Sequence, residues 1–265
     1  MECKNKMDMT GKIVVVTGGA SGIGKATCLE YAENGASVVV CDMNLEGAQK
    51  VADQINSMGK KAIAFKMDVT SESDTQAMVD LTVKTFGRLD VMINNAGIIA
   101  GFKKTSELTL DEWNKTMNVN ATGVFIGCKT VIPQMKKQGY GRIINAGSQM
   151  GKTAGDIIGH YSASKAAVIL LTKNLAKELA AQGITVNCVC PGSVDTEMTM
   201  WEAEQFLKNE GIPIEESYRN WESAIPMKRF AKPIDIAKVY VFLASGYADY
   251  MTGQAVNVCG GQEMH

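Results

Sequence analysis

The 265-residue chain is short of the residues that mark several classes of protein. It has only two histidines, His160 and His265, and neither has the company a ligand or catalytic imidazole needs. That argues against a zinc enzyme and against a Ser-His-Asp relay, since each depends on a partnered histidine. Seven cysteines (Cys3, Cys28, Cys41, Cys128, Cys188, Cys190 and Cys259) are an odd number without CxxC spacing. They read as small buried thiols of a reducing, cytoplasmic compartment, with no metal site. Cys188 and Cys190 would share one face of a strand, but a zinc site there would want further N or S ligands. Prolines number five, and none marks a domain break. No repeat, low-complexity stretch or linker appears either, so residues 1–265 read as one domain. Excess charge is also missing: 27 basic against 28 acidic residues leave −1. This speaks against nucleic acid or an anionic membrane as partner. No apolar run approaches the roughly 18–20 residues of a membrane span. The opening MECKNKMDMTGK lacks the apolar core of a secretory signal.

What is present is a regular alternation. Short β-branched runs at Lys12–Thr17, Ser37–Asp42, Lys61–Met67, Leu89–Ile93, Arg142–Ala146, Thr185–Cys190 and Ala255–Val258 read as seven strands. Between them, Gly22–Glu33, Leu45–Met58, Glu72–Phe86, Leu110–Lys137, His160–Ala181 and Pro233–Leu243 carry helical patterns. Strands alternating with helices predict an α/β fold with a parallel sheet and right-handed crossovers that cover both faces. The stretch from about 196 to 230 breaks the alternation. It is amphipathic and loop-broken, and it reads as a helical lid over a site.

The first strand runs into Thr17-Gly18-Gly19-Ala20-Ser21-Gly22-Ile23-Gly24 and then a helix. Such glycines let the backbone turn tightly and approach a pyrophosphate, while the helix N-terminus offers N–H donors. An ordinary strand–helix turn is the alternative. The second strand ends in Asp42, 18 residues after Gly24. An acid there accepts hydrogen bonds from an adenosine ribose and repels a 2′-phosphate, which points to NAD rather than NADP. Ser21 and Met43, where a basic residue could meet that phosphate, are uncharged. Capping of the next helix is the other role open to Asp42.

The spacing TGxxxGxG resembles the short-chain dehydrogenase/reductase family, and the resemblance extends over nearly the whole chain. Asp68-Val69 is similar to the family's adenine contact, and Asn94-Asn95-Ala96-Gly97 to its NNAG motif. Asn120, within Asn-x-x-Gly, occupies the place of its active-site asparagine, with Asn118 two residues away. Ser148 precedes Tyr161-Ser-Ala-Ser-Lys165, a YxxxK motif, by 13 residues. The run Pro191-Gly192-Ser193-Val194-Asp195-Thr196 resembles the segment flanking the nicotinamide. The resemblance implies a single-domain Rossmann fold with a seven-stranded parallel sheet and a helical substrate lid. It also implies a catalytic set of Asn120, Ser148, Tyr161 and Lys165. The cofactor contacts would be Gly18, Ser21, Gly22, Ile23, Gly24, Asp42, Asp68, Val69, Asn95, Ala96, Gly97, Tyr161, Lys165, Pro191, Gly192, Val194 and Thr196. A homotetramer or homodimer pairing the two longest helices is implied as well.

Chemistry stands beside the resemblance. Tyr161 and Lys165 are i, i+4 and share a helix face. A phenol titrates near 10, and a neighbouring ammonium with a positive nicotinamide would favour phenolate. Tyr161 then serves as general base in alcohol oxidation and acid in ketone reduction. Ser148 would hold the substrate oxygen, and Asn120 a water that links Lys165 to solvent. The alternative for Asn120 is a polar tie between helix and strand.

Substrate contacts are expected from Ser148, Gln149, Met150, Tyr161 and Trp201. Gln149 could pair a second hydroxyl or be a solvated loop amide. The chain resembles polyol and acetoin/butanediol dehydrogenases in this part, giving a polyol, vicinal diol or hydroxyketone as the expected small-molecule substrate. The lid's Met198, Met200, Trp201, Phe206, Leu207 and, further on, Trp221 leave two alternatives: an apolar clamp on a hydroxysteroid, or packing between two short helices. A catalytically silent NAD-binding sensor is the reading from another class. The tail Gly260–His265 either packs across a subunit axis or frays.

Overall fold

The computed structural model describes residues 7–265; Cys3 and the first half of MECKNKMDMTGK lie outside the described residues. Seven parallel strands form one sheet: β1 (Ile13–Thr17), β2 (Ser37–Asp42), β3 (Lys61–Lys66), β4 (Val91–Asn94), β5 (Gly141–Ala146), β6 (Ile184–Pro191) and β7 (Ala255–Val258). Their order is β3-β2-β1-β4-β5-β6-β7. The expected strands lie within one or two residues of these bounds. Winding reverses between β1 and β4, which opens a crevice at the strands' C-terminal ends.

The central strands are buried on both sides, and successive residues serve opposite layers. Val14, Val16, Val38 and Val40 pack with α1 (Gly22–Glu33), α2 (Leu45–Ser57) and α9 (Pro233–Ala244). Val15, Val39, Met92 and Ile143 pack with α3 (Glu72–Phe86), α5 (Gly123–Gln138) and α6 (Gly159–Leu179). Each fully buried aliphatic side chain contributes about 1.5–3 kcal/mol, so the sheet centre anchors the fold. The six described cysteines are buried free thiols. Among the described residues no helix is long and apolar enough to cross a membrane.

Two segments depart from the expected pattern. The helix foreseen over Leu110–Lys137 is divided into α4 (Leu110–Met117) and α5 by a π-helical turn, Asn118–Thr122. The wider turn brings Asn120 to the interior, fully buried, while Asn118 stays exposed. The stretch 196–230 folds into α7 (Glu197–Glu210) and α8 (Ile214–Ala224). An edge-to-face aromatic chain holds this pair to the loop after β4: Trp201 and Phe206 pack on Phe102, and Trp221 packs on Phe206. The tail does not fray. Lys152 Nζ donates to the carbonyls of Ala255 and His265, at 2.7 and 2.8 Å.

Candidate active site

The glycine-rich loop between β1 and α1 is built by steric demand. Gly18 and Gly22 have φ of +64° and +51°, which side-chain-bearing residues rarely adopt. A Cβ on Gly24 would lie 1.9 Å from the Gly18 carbonyl oxygen, so that helical turn closes only on glycine. Side chains at the ends of neighbouring strands clamp the loop. Thr17 Oγ1 accepts from the backbone N–H groups of Asn95 (3.0 Å) and Ala96 (3.1 Å). Asn95 Nδ2 donates back to the Thr17 carbonyl at 3.0 Å. Thr17 is a functional neighbour that the motif reading passed over; as the first residue of the Gly-rich run it was visible.

Asp42 closes the other side. Its Oδ2 accepts from Ala20 N at 3.1 Å and its Oδ1 from Asn44 N at 2.9 Å. The cap of α2 is Asn44, whose Oδ1 accepts from Gly47 N, so the capping alternative for Asp42 does not hold. Asp42 instead braces the loop from β2 and lines a cleft of about 530 Å³ together with Gly18, Ser21, Gly22, Ile23 and Gly24. Asp68, Val69, Ala96, Gly97 and Thr196 complete that cleft. Asp68 also accepts from Thr70 N and Oγ1, which shapes the loop after β3.

The N-terminus of α1 opens into this cleft with neither a side-chain cap nor an acid in its first turn. By contrast α2 and α3 carry both. Free N–H groups, positive dipole and a close glycine backbone fit a pyrophosphate.

A second cavity, about 380 Å³, adjoins the first and shares Ile23, Asn95, Gly97, Thr196 and Met198 with it. The structure brings Ser148, Tyr161 and Lys165 to its wall, with Pro191, Gly192 and Val194 at one side. Thr196 sits against the glycine loop; a Cβ on Gly22 would be 3.5 Å from its Cγ2. Lys165 is buried and its Nζ donates to the Ala146 carbonyl at 2.8 Å. A Cβ on Gly97 would meet Lys165 Nζ at 3.3 Å and Asn120 Oδ1 at 3.4 Å, so both polar ends border that glycine. The Asn120 amide binds protein: Oδ1 accepts from Ile98 N, and Nδ2 donates to the Ile98 carbonyl and to Ser164 Oγ. The side chain thus ties the π turn to the loop after β4 and to α6, where the alternative foreseen was a tie to a strand.

Electrostatics correct one expectation. Burial pushes the Tyr161 phenol up to about 12; a hydrogen bond with Ser148 pulls it down, and the Glu202 charge pushes it further up. Lys165 does not lower it: its Nζ lies 5.6 Å from the ring centroid and is turned to Ala146. Burial also lowers the Lys165 ammonium to about 8. The protein's own groups therefore keep Tyr161 a protonated phenol at neutral pH, because losing solvation outweighs a cation that is spent on a carbonyl.

The substrate side holds a second correction. Gln149 and Met150 line the cavity, but Trp201 does not. Its indole faces Phe102, 5.9 Å between centroids. The α7 stripe that looks inward is Met198, Glu202 and Phe206, spaced i, i+4, i+8, and Trp221 joins it from α8. Met200 and Leu207 are exposed. Ile158, at φ +57°, starts α6 on this wall. A β-branched residue in that region is strained, and nothing in the sequence signals it.

Burial raises the Glu202 carboxyl from its ordinary 4.5 to about 7. Between those values the folded chain holds a proton that the unfolded chain has released. Stability from this group is therefore lost as pH rises from about 4.5 through 7. Glu202→Gln is expected to stabilise the protein at pH 8 by up to about 3 kcal/mol, and the gain vanishes by pH 4.5. Urea unfolding at the two pH values checks this.

With this geometry in view, the profile of the family described as short chain dehydrogenase matches residues 12–206. A 3-oxoacyl-[acyl-carrier-protein] reductase of Thermotoga maritima is 38% identical over 255 residues, covering 96% of this chain and 99% of the relative. A 2,5-dichloro-2,5-cyclohexadiene-1,4-diol dehydrogenase of Sphingobium indicum is 38% identical over 257 residues, 96% of each. An (S)-acetoin-forming diacetyl reductase of Staphylococcus epidermidis is 36% identical over 252 residues, 94% of this chain and 98% of the relative.

Proposed function

The chain belongs to the short-chain dehydrogenase family, oxidoreductases that act on CH–OH groups, and from that premise we propose that it interconverts a secondary alcohol and a ketone with NAD. A polyol, or a vicinal diol and its hydroxyketone, is the substrate class we infer. One observation carries the reading: Ser148, Tyr161 and Lys165 line a cavity that continues into a glycine-walled cleft ending at Asp42.

The nicotinamide coenzyme, when bound, supplies the hydride acceptor or donor. Around it the chain's residues have separate tasks. The α1 N-terminus with Gly18, Ser21, Gly22, Ile23 and Gly24 would hold the coenzyme's pyrophosphate, and Asp42 would accept from the adenosine ribose. Asp68 and Val69 border the adenine. Asn95, Ala96, Gly97, Pro191, Gly192, Val194 and Thr196 border the far half. Ser148 Oγ donates to the substrate oxygen as charge develops there. Tyr161 Oη gives its proton to the ketone oxygen in reduction, and in oxidation it takes the carbinol proton once its own has passed to solvent. Lys165 adds positive charge beside the site, and Asn120 acts as a positioning residue that holds the π turn behind it.

A hydroxysteroid is the second reading, favoured by Met198, Phe206 and Trp221 on the cavity wall. The polar share of that wall, Gln149 and Glu202, supports the smaller hydroxylated substrate. Phe125 and Leu170, exposed on α5 and α6, support pairing of these helices in a cytoplasmic homo-oligomer.

The test follows reduced-nicotinamide absorbance with NAD and NADP in parallel, over sorbitol, galactitol, butanediol stereoisomers, acetoin and hydroxysteroids. Wild type is expected to use NAD with a polyol or diol. In Asp42→Ser the loss of charged hydrogen bonds lowers kcat/KM for NAD by about 10- to 100-fold and narrows the gap to NADP. Preference of the wild type for NADP overturns the role given to Asp42.

A further inference from the structure

Among the described residues, Glu202 is the one side chain on the catalytic cavity whose charge has no partner. It stands on α7 facing inward, largely buried, with no hydrogen bond or ion pair to any described residue. Lys165 is the only other charged residue on that wall among the described residues, and its Nζ is held by Ala146. Two further polar atoms around the cavity's residues are buried without partners: Gln149 Oε1 and Tyr240 Oη. A protein interior rarely leaves such groups unpaired, because each forfeits its bonds to water. Glu202, Gln149 and Tyr240 all line a space large enough for a small molecule.

Resting on the reading of this site as a secondary-alcohol dehydrogenase, we propose that Glu202 is a specificity-determining residue that, with Gln149, accepts a hydrogen bond from a hydroxyl on the carbon next to the reacting carbinol. Both groups present acceptor oxygens, so the ligand must bring donors. An ammonium is also a donor, and the amino alcohol in the test below separates it from the neutral hydroxyl. A carboxylate or phosphate is repelled by Glu202 itself. The titratable groups that face Glu202 from other elements are the phenols of Tyr161 on α6 and Tyr218 on α8, both of which feel its charge. The aromatic wall of Phe206 and Trp221 then covers the carbon skeleton. A site built to pair a hydroxyl discriminates strongly against an analogue that lacks it.

The experiment compares kcat/KM for 2,3-butanediol, 2-butanol and 3-amino-2-butanol in wild type, Glu202→Leu and Glu202→Gln. Each ratio is taken within one preparation, so a fraction of unfolded variant cancels. Wild type is expected to prefer the diol. In Glu202→Leu the diol-to-butanol ratio falls about 10- to 100-fold, and Glu202→Gln, which can still accept a hydrogen bond, falls less. An unchanged ratio in Glu202→Leu, or a wild type that prefers 2-butanol or the amino alcohol, overturns the assignment while leaving the alcohol dehydrogenase reading intact. A wild type inactive on every secondary alcohol removes that reading and this inference with it.

Discussion

Tyr161→Phe lowers kcat by about 10³-fold in both directions while coenzyme affinity changes little, as expected for loss of a general acid–base. The argument is local. The phenol sits on the cavity wall beside Ser148, where Lys165 is pinned to a carbonyl and Ser148 serves a turn. Glu202 and Gln149 also line that wall, and it is Tyr161 that shares a hydrogen bond with Ser148, the residue assigned to the substrate oxygen. Because burial holds the phenol up near 12, oxidation has to take its proton away and reduction has to use it. Oxidation is therefore expected to speed up as pH rises towards 12, and reduction to slow down only as pH nears that value. Steady-state rates in both directions, with a fluorescence titration of reduced coenzyme, check the prediction. Turnover that survives the substitution, with coenzyme binding intact, removes Tyr161 from the mechanism. Wild-type silence alongside tight coenzyme binding favours the sensor reading.

Gly24→Ala is expected to weaken coenzyme binding by about 100-fold while the sheet stays folded. The added methyl would lie 1.9 Å from the Gly18 oxygen and 2.7 Å from Asn95 Nδ2. Neither can retreat, since Gly18 is backbone and Asn95 is bonded to the Thr17 carbonyl. The loop must move off the α1 N-terminus, and overpacking of this kind costs about 1–3 kcal/mol. The upper figure corresponds to roughly 100-fold in a dissociation constant. Fluorescence titration measures the loss, and a thermal melt separates it from global unfolding. An unchanged dissociation constant would show that the loop does not carry the pyrophosphate.

Much of this architecture is legible from local pattern. Apolar, largely β-branched runs of four to eight residues between amphipathic stretches determine seven parallel strands and their flanking helices, because the central strands must bury both faces. Positions also follow: Gly18, Gly22 and Gly24 occur where only glycine closes the turn, Asp42 ends the second strand, and Tyr161 and Lys165 share a helix face. These are properties of neighbours in the chain, and they survive in any fold that keeps the elements.

Other features exist only in the assembled tertiary structure. Asn120 turns inward because a π turn forms where Ile98 offers its N–H and carbonyl, a partner 22 residues away. Trp201 is directed to Phe102 and away from the cavity, and Glu202 and Trp221 take the wall, since packing of α7 and α8 on the loop after β4 sets their rotation. Tyr161 keeps its proton because of what surrounds it, and Lys165, four residues away, does not decide that. Spacing along the chain decides which side chains can share a face. Desolvation, and the partner each polar atom finds, depend on segments that meet only after folding, so charge state and the lining of the cavity belong to the tertiary structure.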